Sequence, residues 1–207
     1  RVMRVAAIAR GMLRSLSFCA APADYYEWSL EQRRALLGAP SVMHLCKSIL
    51  LANVQWCSSS DSTGFSAPSG TIQRMEIENA PFYLVVVQYA RRFNAEAVAR
   101  FIRGLNAGSG IARKHFVFRL AEDVEAITGY PPGGVTPLGC RVDPIRHLPI
   151  PVIVDSAISD QLPAPRQIWL GGGRIDVKWR TELDEFLSAF PVLSAPVSHT
   201  DELGYEH

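Results

Sequence analysis

The sequence of 207 residues predicts an α+β protein whose sheet is mixed or antiparallel. Segments typical of strands and of helices follow one another without the regular strand–helix–strand alternation of a doubly wound fold. Hydrophobic residues make up 48% of the chain and charged residues 20%, a composition that supports a packed core and argues against global disorder. The length favours one domain.

The first half of the chain contains two segments with helical periodicity and two with the apolar character of strands. Residues 2–16 carry apolar side chains at helical spacing, and residues 31–37 predict a second helix that ends at a Gly-Ala-Pro sequence. The segments 41–51 and 81–90 predict buried strands, and the second is the strongest strand signal in the chain. A Ser- and Gly-rich stretch at 57–70 lies between these strands and predicts a loop.

The second half of the chain mixes strands and helices, with Asn and Thr at the positions where helices are expected to begin. The predicted elements are a helix capped by Asn94 and ending near Gly104, a strand at 115–121, a short helix at 122–128, a strand at 149–158, a hairpin around a glycine turn at 167–179, and a helix at 181–190 capped by Thr181.

Charge is balanced over the whole chain but not along it. The formal net charge of +1 gives no general argument for nucleic-acid binding. Residues 91–119, however, contain seven basic side chains and one acid, whereas residues 182–206 are acidic. The basic stretch fits either a solvated helix face or a surface that faces a polyanion.

The ends of the chain and its cysteines bear on location. Residues 1–23 contain four arginines and no acid, which resembles an organelle transit peptide, although an ordinary amphipathic first helix is the favoured interpretation. The four cysteines show neither CxxC nor zinc-finger spacing, as expected for free thiols of a cytoplasmic protein. No apolar run reaches the roughly 18 residues of a membrane helix.

Several common catalytic motifs are missing from the sequence. Gly171–Arg174 reads GGGR but lacks the GK[ST] of a phosphate loop, and neither GxGxxG nor GxSxG occurs. The five histidines are scattered without metal-ligand spacing. The sequence therefore predicts no metal and no cofactor.

Two features do indicate a site. Lys47 lies within an apolar predicted strand, where an ammonium is costly unless it has a partner or faces a cleft; the alternative is a side chain that simply points outward. Residues 128–140 read TGYPPGGVTPLGC, with four glycines and three prolines. Such a run is either a plain connecting loop or a rigid loop whose backbone N–H groups face a ligand.

Four motifs occur in a fixed order along the chain. They are Lys47-Ser48-Ile49 in a strand, GYxxGGxxPxG at 129–139, a strand ending in Val154-Asp155, and a strand that leads into the Gly171-Gly172 turn. Their order and spacing resemble the YbaK-like aminoacyl-tRNA editing domains, which include free-standing YbaK deacylases and the prolyl-tRNA synthetase-associated editing domain.

This resemblance implies a single compact domain with a curved, mixed and barrel-like sheet flanked by helices. It covers about residues 31–190 and divides the chain into an N-terminal helix or arm at 1–30, the editing domain at 31–190 and a C-terminal tail at 191–207.

The resemblance also implies residue roles. Lys47 matches the family lysine that holds the phosphate or ribose of the terminal adenosine. Gly133 begins the family's GxxxP loop, in which a backbone N–H positions the scissile carbonyl or the attacking group, and Gly134 offers a second backbone group. The expected substrate-binding residues are Ser48, Thr136, Pro137, Asp155, Gly171, Gly172 and Asp176.

The implied function is hydrolysis in trans of the ester that joins a mischarged amino acid to a tRNA, with the tRNA acceptor end as partner. An ester is already activated, so positioning and an oxyanion contact can suffice without a strong protein base. The alternative is a non-catalytic module of the same fold that binds tRNA or an aminoacyl-tRNA synthetase.

Overall fold

The computed structural model describes residues 3, 6, 10, 11, 15–58 and 77–200, and these residues form three β-sheets with helices packed against them. Residues 3 and 6 are helical, but most of the helix expected at 2–16 lies outside the described residues, as do positions 59–70 of the Ser/Gly-rich stretch. None of the described helices is long and apolar enough to cross a membrane.

The largest sheet has five strands in the order β5-β2-β3-β6-β9. Its strands are β2 (Cys46–Asn53), β3 (Phe82–Gln88), β5 (Phe118–Leu120), β6 (Val152–Asp155) and β9 (Val192–Ala195). Strand β2 is antiparallel to β3 and β5, whereas β3, β6 and β9 run parallel. The α+β fold with a mixed sheet is therefore confirmed.

The second sheet contains three antiparallel strands in the order β1-β8-β7. These are β1 (Ser17–Ala20), β7 (Gln167–Gly171) and β8 (Val177–Glu182), so the expected hairpin around a glycine turn is present. A single parallel bridge between Leu45 and Trp169 connects the two larger sheets. The described strands thus curve around a core in separate sheets and do not close into a barrel.

A two-stranded sheet and the helices complete the described structure. Strand β4 (Arg92–Phe93) pairs with β10 (Ser198–His199). The helices are α1 (Leu30–Leu37), α2 (Val54–Ser58), α3 (Ala95–Leu105), α4 (Val124–Thr128), α5 (Ser156–Ser159) and α6 (Leu183–Ala189).

Local sequence accounts for where the two longest helices begin. Ser29 and Gln32 form a capping box at the start of α1, and each side chain accepts a hydrogen bond from the backbone N–H of the other. The side chain of Asn94 accepts a hydrogen bond from Ala97 N–H at the start of α3, as the sequence predicts. Gly38 ends α1 in a left-handed conformation with φ of 61°.

The five-stranded sheet is buried on both faces. On one face Leu50, Val86 and Val154 pack against Trp179 of β8 and Phe186 of α6. The other face packs against α3, and its cluster contains Leu51, Val85, Ile153, Val98 and Ile102. This double burial explains why β3 reads as an uninterrupted apolar run.

Several element predictions are wrong in detail, and the strand expected at 115–121 spans only Phe118–Leu120, after a 3-10 turn at Arg113–His115. The strand expected at 149–158 ends at Asp155, because the Asp155 carboxylate accepts a hydrogen bond from Ala157 N–H and starts α5. Thr181 does not cap α6; it belongs to β8, and Glu182 precedes the helix. The strand expected at 41–51 begins only at Cys46, because Val42–His44 forms a 3-10 turn.

Segments outside 31–190 pack on this body. Strand β1 pairs with β8, β9 pairs with β6, and β10 pairs with β4. The expected domain bounds remain a prediction, but residues 17–30 and 191–199 contribute strands and a turn to the same folded unit.

Candidate active site

Lys47 lies at the second position of β2, at the end of the five-stranded sheet where β3 also ends. Its side chain leaves the same face as those of Ile49 and Leu51, because side chains alternate along a strand. The ammonium lies 5.5 Å from the ring centroid of Tyr89. Partial burial lowers the pKa of Lys47 from its usual value.

Gly133 lies at the exposed start of the glycine loop (residues 133–137) in a left-handed conformation, with φ of 83°. Its carbonyl oxygen accepts a hydrogen bond from the Tyr26 hydroxyl at 2.5 Å. Within the described part of the chain, its N–H has no acceptor. A Cβ at this position would meet the Tyr26 hydroxyl at 3.3 Å. The structure thus leaves one exposed backbone donor at the loop start.

Gly134 has a different role from the one expected. It is buried, and its N–H donates to Pro131 O at 2.9 Å, so this N–H closes a turn instead of facing a ligand. Its carbonyl oxygen accepts a hydrogen bond from Gly173 N–H, also at 2.9 Å. Gly134 therefore joins the glycine loop to the glycine turn (residues 171–173).

The contact between this loop and this turn needs glycines on both sides. A Cβ at Gly134 would lie 3.0 Å from Arg174 N, and a Cβ at Gly171 would lie 2.9 Å from Val135 O. A Cβ at Gly172 would meet Val177 at 2.5 Å. The glycine loop and the glycine turn, which are far apart in sequence, thus lie against each other through Gly134 and Gly171.

Lys47 is linked to the glycine loop through aromatic side chains that the sequence analysis did not identify. The Arg33 guanidinium lies 5.5 Å from the ring centroids of both Tyr89, which is beside Lys47, and Tyr26. The Tyr26 hydroxyl in turn contacts Gly133. The two sequence signals, Lys47 and the loop, therefore meet at one end of the large sheet.

A buried lysine from the second sheet completes this cluster. Lys178 is only 4% exposed, and its ammonium donates to the Tyr26 hydroxyl at 2.7 Å and to Ile175 O at 3.3 Å. The ammonium lies 4.7 and 4.4 Å from the ring centroids of Tyr25 and Tyr26. Burial, with the nearby charge of Arg33, lowers the pKa of Lys178 to about 8.

Arg33 adds a third positive charge to the cluster. Its guanidinium lies 5.3 to 5.5 Å from the ring centroids of Tyr25, Tyr26 and Tyr89. It also donates to Trp28 O at 3.0 Å and to Tyr26 O at 2.6 Å. Three cations around three tyrosines make this end of the sheet electropositive, which favours an anionic ligand.

Two residues expected to bind substrate are engaged in the protein's own structure. Thr136 is fully buried, and its hydroxyl accepts a hydrogen bond from the Trp179 indole N–H at 2.9 Å. Asp155 is 1% exposed; its carboxylate accepts hydrogen bonds from Ser198 Oγ and Val197 N–H and lies 3.7 Å from Arg91 Nε. Both polar groups thus have partners inside the protein, and their role in substrate binding remains a prediction.

The other three expected residues lie near the site with different degrees of access. Asp176 follows the glycine turn, and its exposed carboxylate pairs with Arg174 through two contacts of 2.8 Å, which lowers the pKa of Asp176. Ser48 points to the opposite sheet face from Lys47, and its buried hydroxyl has no partner among the described residues. Pro137 is buried at the end of the glycine loop.

The sequence contained one signal for the missed residues. Residues 24–28 read DYYEW, an aromatic cluster rare enough to note, but it lies outside the 31–190 region covered by the resemblance. Nothing local marks Lys178, because its burial depends on the pairing of β8 with β1 and on the turn that carries Tyr25. Among the described residues, no group of three or more His, Cys, Asp or Glu side chains could hold a metal ion.

Solved structures share this fold at low sequence identity. A candidate trans-editing enzyme for prolyl-tRNA synthetase superposes with a TM-score of 0.64 at 20% identity, covering 96% of each chain. A protein described as hypothetical superposes with a TM-score of 0.61 at 22% identity, and the match covers 96% of this chain and 100% of that protein. A scaffold protein from a study of computational epitope grafting gives 0.62 at 20% identity, covering 96% of each chain. No curated protein matches the chain in sequence.

A family model identifies more than the fold. The model described as aminoacyl-tRNA editing domain matches residues 72–188, more than half of the chain. The matched region includes the glycine loop, the glycine turn and Lys178, and it begins after Lys47 and Tyr26. The chain therefore belongs to the aminoacyl-tRNA editing domain family.

Proposed function

We propose that the protein is an aminoacyl-tRNA deacylase that hydrolyses mischarged tRNA in trans. The observation that carries this proposal is the link from Lys47 through Tyr89, Arg33 and Tyr26 to Gly133. It places a cation and an exposed backbone N–H at the same end of the sheet. A tRNA 3′ end offers phosphate and ester groups of complementary character.

The proposed chemistry needs little from side chains. Water adds to the ester carbonyl carbon while the 2′-hydroxyl of the terminal ribose or the substrate's own side chain relays its proton to the departing ribose oxygen, and the carbonyl oxygen gains negative charge. The Gly133 N–H donates a hydrogen bond to that oxygen, which is the type of contact that stabilises a developing oxyanion. The bond from the carbonyl carbon to the ribose oxygen then breaks, and the ribose oxygen takes up a proton.

Lys47 serves as a point charge in this scheme. Its partial burial weakens competition from water and strengthens attraction to a terminal phosphate. The electropositive environment set by Arg33 and Lys178 favours the same anion. Binding of the terminal nucleotide at Lys47 would hold the ester beside the glycine loop.

The basic stretch at 91–119 supports tRNA as the substrate. Two of these side chains already have acidic or carbonyl partners. Arg91 Nε lies 3.7 Å from the Asp155 carboxylate, and Arg103 contacts Glu96 and Phe116 O, each at 3.3 Å. The Arg and Lys side chains that remain exposed on α3 and the following segment are Arg100, Arg113, Lys114 and Arg119. We infer that these cations contact phosphates of the acceptor stem without reading its sequence.

Deacylation of a panel of mischarged tRNAs, charged first with Ala, Cys and Ser, tests the proposal. At least one ester should be cleaved faster than in buffer, and Lys47→Ala should reduce that rate on the order of tenfold or more through loss of a charged contact. Arg34→Ala, which removes a cation that pairs with Glu31 on α1, is the control and should keep most of the rate. A folded protein that binds tRNA but cleaves no member of the panel would instead be a binding module.

The salt dependence of tRNA binding tests the basic surface separately. Replacement of Arg100, Arg113 and Lys114 by Ala should weaken binding of all tRNAs alike and reduce the slope of log K against log salt by roughly three units. Replacement of Arg34, which pairs with Glu31 at 2.6 Å on α1, is the control and should leave the slope unchanged. An unchanged slope in the triple variant would rule out this surface.

A further inference from the structure

Lys178 is buried and contacts the proposed site through the Tyr26 hydroxyl. It has no carboxylate within a hydrogen bond among the described residues, and its nearest acceptors are the Tyr26 hydroxyl and Ile175 O. A buried ammonium without an acid partner is costly, so its position calls for an explanation beyond packing.

The Tyr26 hydroxyl lies between Lys178 and the glycine loop and is hydrogen-bonded on both sides. It accepts from the Lys178 ammonium and donates its single proton to Gly133 O. A phenol has one proton and two lone pairs. A charged donor on the oxygen fixes the direction of that proton, because the ammonium cannot accept it.

The bond from Tyr26 acts on the peptide unit that follows Gly133. Its carbonyl oxygen is held by Tyr26, and its N–H, which belongs to Gly134, is held by Pro131 O. With both ends held, this peptide plane keeps its orientation in the loop, and Gly133 joins it to the preceding peptide at a φ of 83°. The exposed Gly133 N–H belongs to that preceding peptide, so a rotation of the held peptide would change the torsions of Gly133 and with them the direction of the N–H.

Resting on the proposed function, we propose that Lys178 is a positioning residue for the deacylation reaction: its charged ammonium holds the Tyr26 hydroxyl as a donor to Gly133 O and so aims the Gly133 N–H at the substrate carbonyl. Lys178 does not touch the substrate. Its effect on the rate passes through Tyr26 and the backbone of the glycine loop.

The surroundings of Lys178 determine how it responds to pH. The titratable and charged groups that face it are Tyr25 and Tyr26 from the 3-10 turn, Arg33 from α1, Tyr89 after β3, Cys46 from β2, Cys19 from β1 and Asp176 from the glycine-turn side. Burial raises the pKa values of Tyr25, Tyr26, Tyr89 and Cys46, so these groups stay neutral near pH 8. Lys178, with its pKa of about 8, loses its charge there.

An NMR titration tests the positioning role without reference to activity. In ¹⁵N-labelled protein, the Gly133 and Gly134 amide resonances should shift between pH 6.5 and 9.5 with a midpoint near 8. The shift should disappear in Lys178→Met and shrink in Tyr26→Phe, which removes the intervening hydroxyl. It should persist in Cys19→Ser. A midpoint that survives in Lys178→Met would overturn the proposal.

The kinetics of deacylation form the second arm of the test, beside the NMR titration. The ratio of the enzymatic deacylation rate to the buffer rate should be level below pH 8 and fall above it, and Lys178→Met should reduce it roughly 10- to 100-fold at pH 7 with little change in tRNA affinity. Tyr26→Phe should show the same loss, and the double variant should lose no more than either single variant. Additive losses would contradict action through Tyr26.

The two arms separate two kinds of failure. If the wild-type protein cleaves no ester, the proposed function fails, while the amide titration still decides whether Lys178 positions the loop. If Lys178→Met does not fold, the NMR titration and the kinetics are both measured on Tyr26→Phe. This variant should fold, because Tyr26 is only partly buried and its ring is retained. Arg34→Met, which replaces a cation that pairs with Glu31 on the surface of α1, is the control and should match the wild type in both arms.

Discussion

The N–H of Gly173 donates a hydrogen bond to the carbonyl oxygen of Gly134 at 2.9 Å and joins two segments that are about forty residues apart. This bond holds the glycine loop against the glycine turn. Because the two backbones are in direct contact, neither segment can move without the other. The proposed site is therefore one rigid backbone surface rather than two flexible loops.

Gly171→Ala tests this backbone contact. A new Cβ would lie 2.9 Å from Val135 O and 3.2 Å from Gly134 C, so the glycine loop must shift. A displacement of about 1 Å at a reacting centre can cost roughly 100-fold in rate, and we expect a loss of that size in deacylation with the fold retained. Gly104→Ala on α3 meets nothing within 4 Å and is the control. It should leave the rate unchanged and stabilise the helix by about 0.5–1 kcal/mol.

Thr136→Val tests the structural role assigned to Thr136. The substitution removes the acceptor for the buried Trp179 N–H, and an unsatisfied buried donor costs about 1–3 kcal/mol. Urea denaturation should show that loss in the free energy of unfolding. Thr136→Ser keeps the hydroxyl and should lose less. Equal stability of the two variants would mean that this hydrogen bond contributes little.

Asp155→Ala tests the carboxylate that lies beneath the C-terminal strands. The variant removes the carboxylate that lies 3.7 Å from Arg91 Nε and that accepts from Val197 N–H and Ser198 Oγ, while Arg91 keeps its hydrogen bonds to Ser198. Loss of one member of a buried charge pair costs about 3–5 kcal/mol, and the retained bonds place this variant at the lower end. Hydrogen exchange should accelerate first at Val197, Ser198 and His199. Asp184→Ala, an exposed acid 3.5 Å from Arg166, should change stability by no more than about 0.5 kcal/mol.

The depressed pKa of Lys178 predicts how stability varies with pH. Below about pH 8 the folded and unfolded chains both hold this proton; between about 8 and the ordinary value of 10.5 only the unfolded chain holds it. Stability therefore rises with pH across this window through Lys178. Relative to Lys178→Met, the wild-type midpoint in urea should increase from pH 8 to 10. A constant difference between the two proteins would mean that Lys178 titrates normally.

Much of the architecture is encoded locally. Strands β2 and β3 are apolar runs that are buried on both faces. Ser29 and Asn94 are residue types that favour the start of a helix, and both cap one here. The wrong cap at Thr181 has the opposite origin. Thr181 has the right side chain for a cap, but pairing with Ile168 of β7 extends the strand through it.

The candidate site was predictable only in part, because some of its residues meet through contacts between segments that are distant in sequence. Lys47 and the glycines carry sequence signals because a charge in an apolar strand and a run of glycines are unusual on their own. Tyr26, Tyr89 and Lys178 become neighbours only when the sheets assemble, so no spacing rule connects them. Thr136 and Asp155 matched the family pattern, but the sequence alone did not indicate that they would contact Trp179, Arg91 and Ser198.

Strand β1 leads into the turn that carries Tyr26, while Lys178 lies on β8, more than 150 residues later. The groups of the cluster thus come from both ends of the described chain and from two sheets. Contacts so distant in sequence form late and slowly during folding, because long loops must close first. A nascent or clipped chain that lacks either β1 or β8 would hold most of the large sheet but could not assemble the cluster around Tyr26 and Lys178.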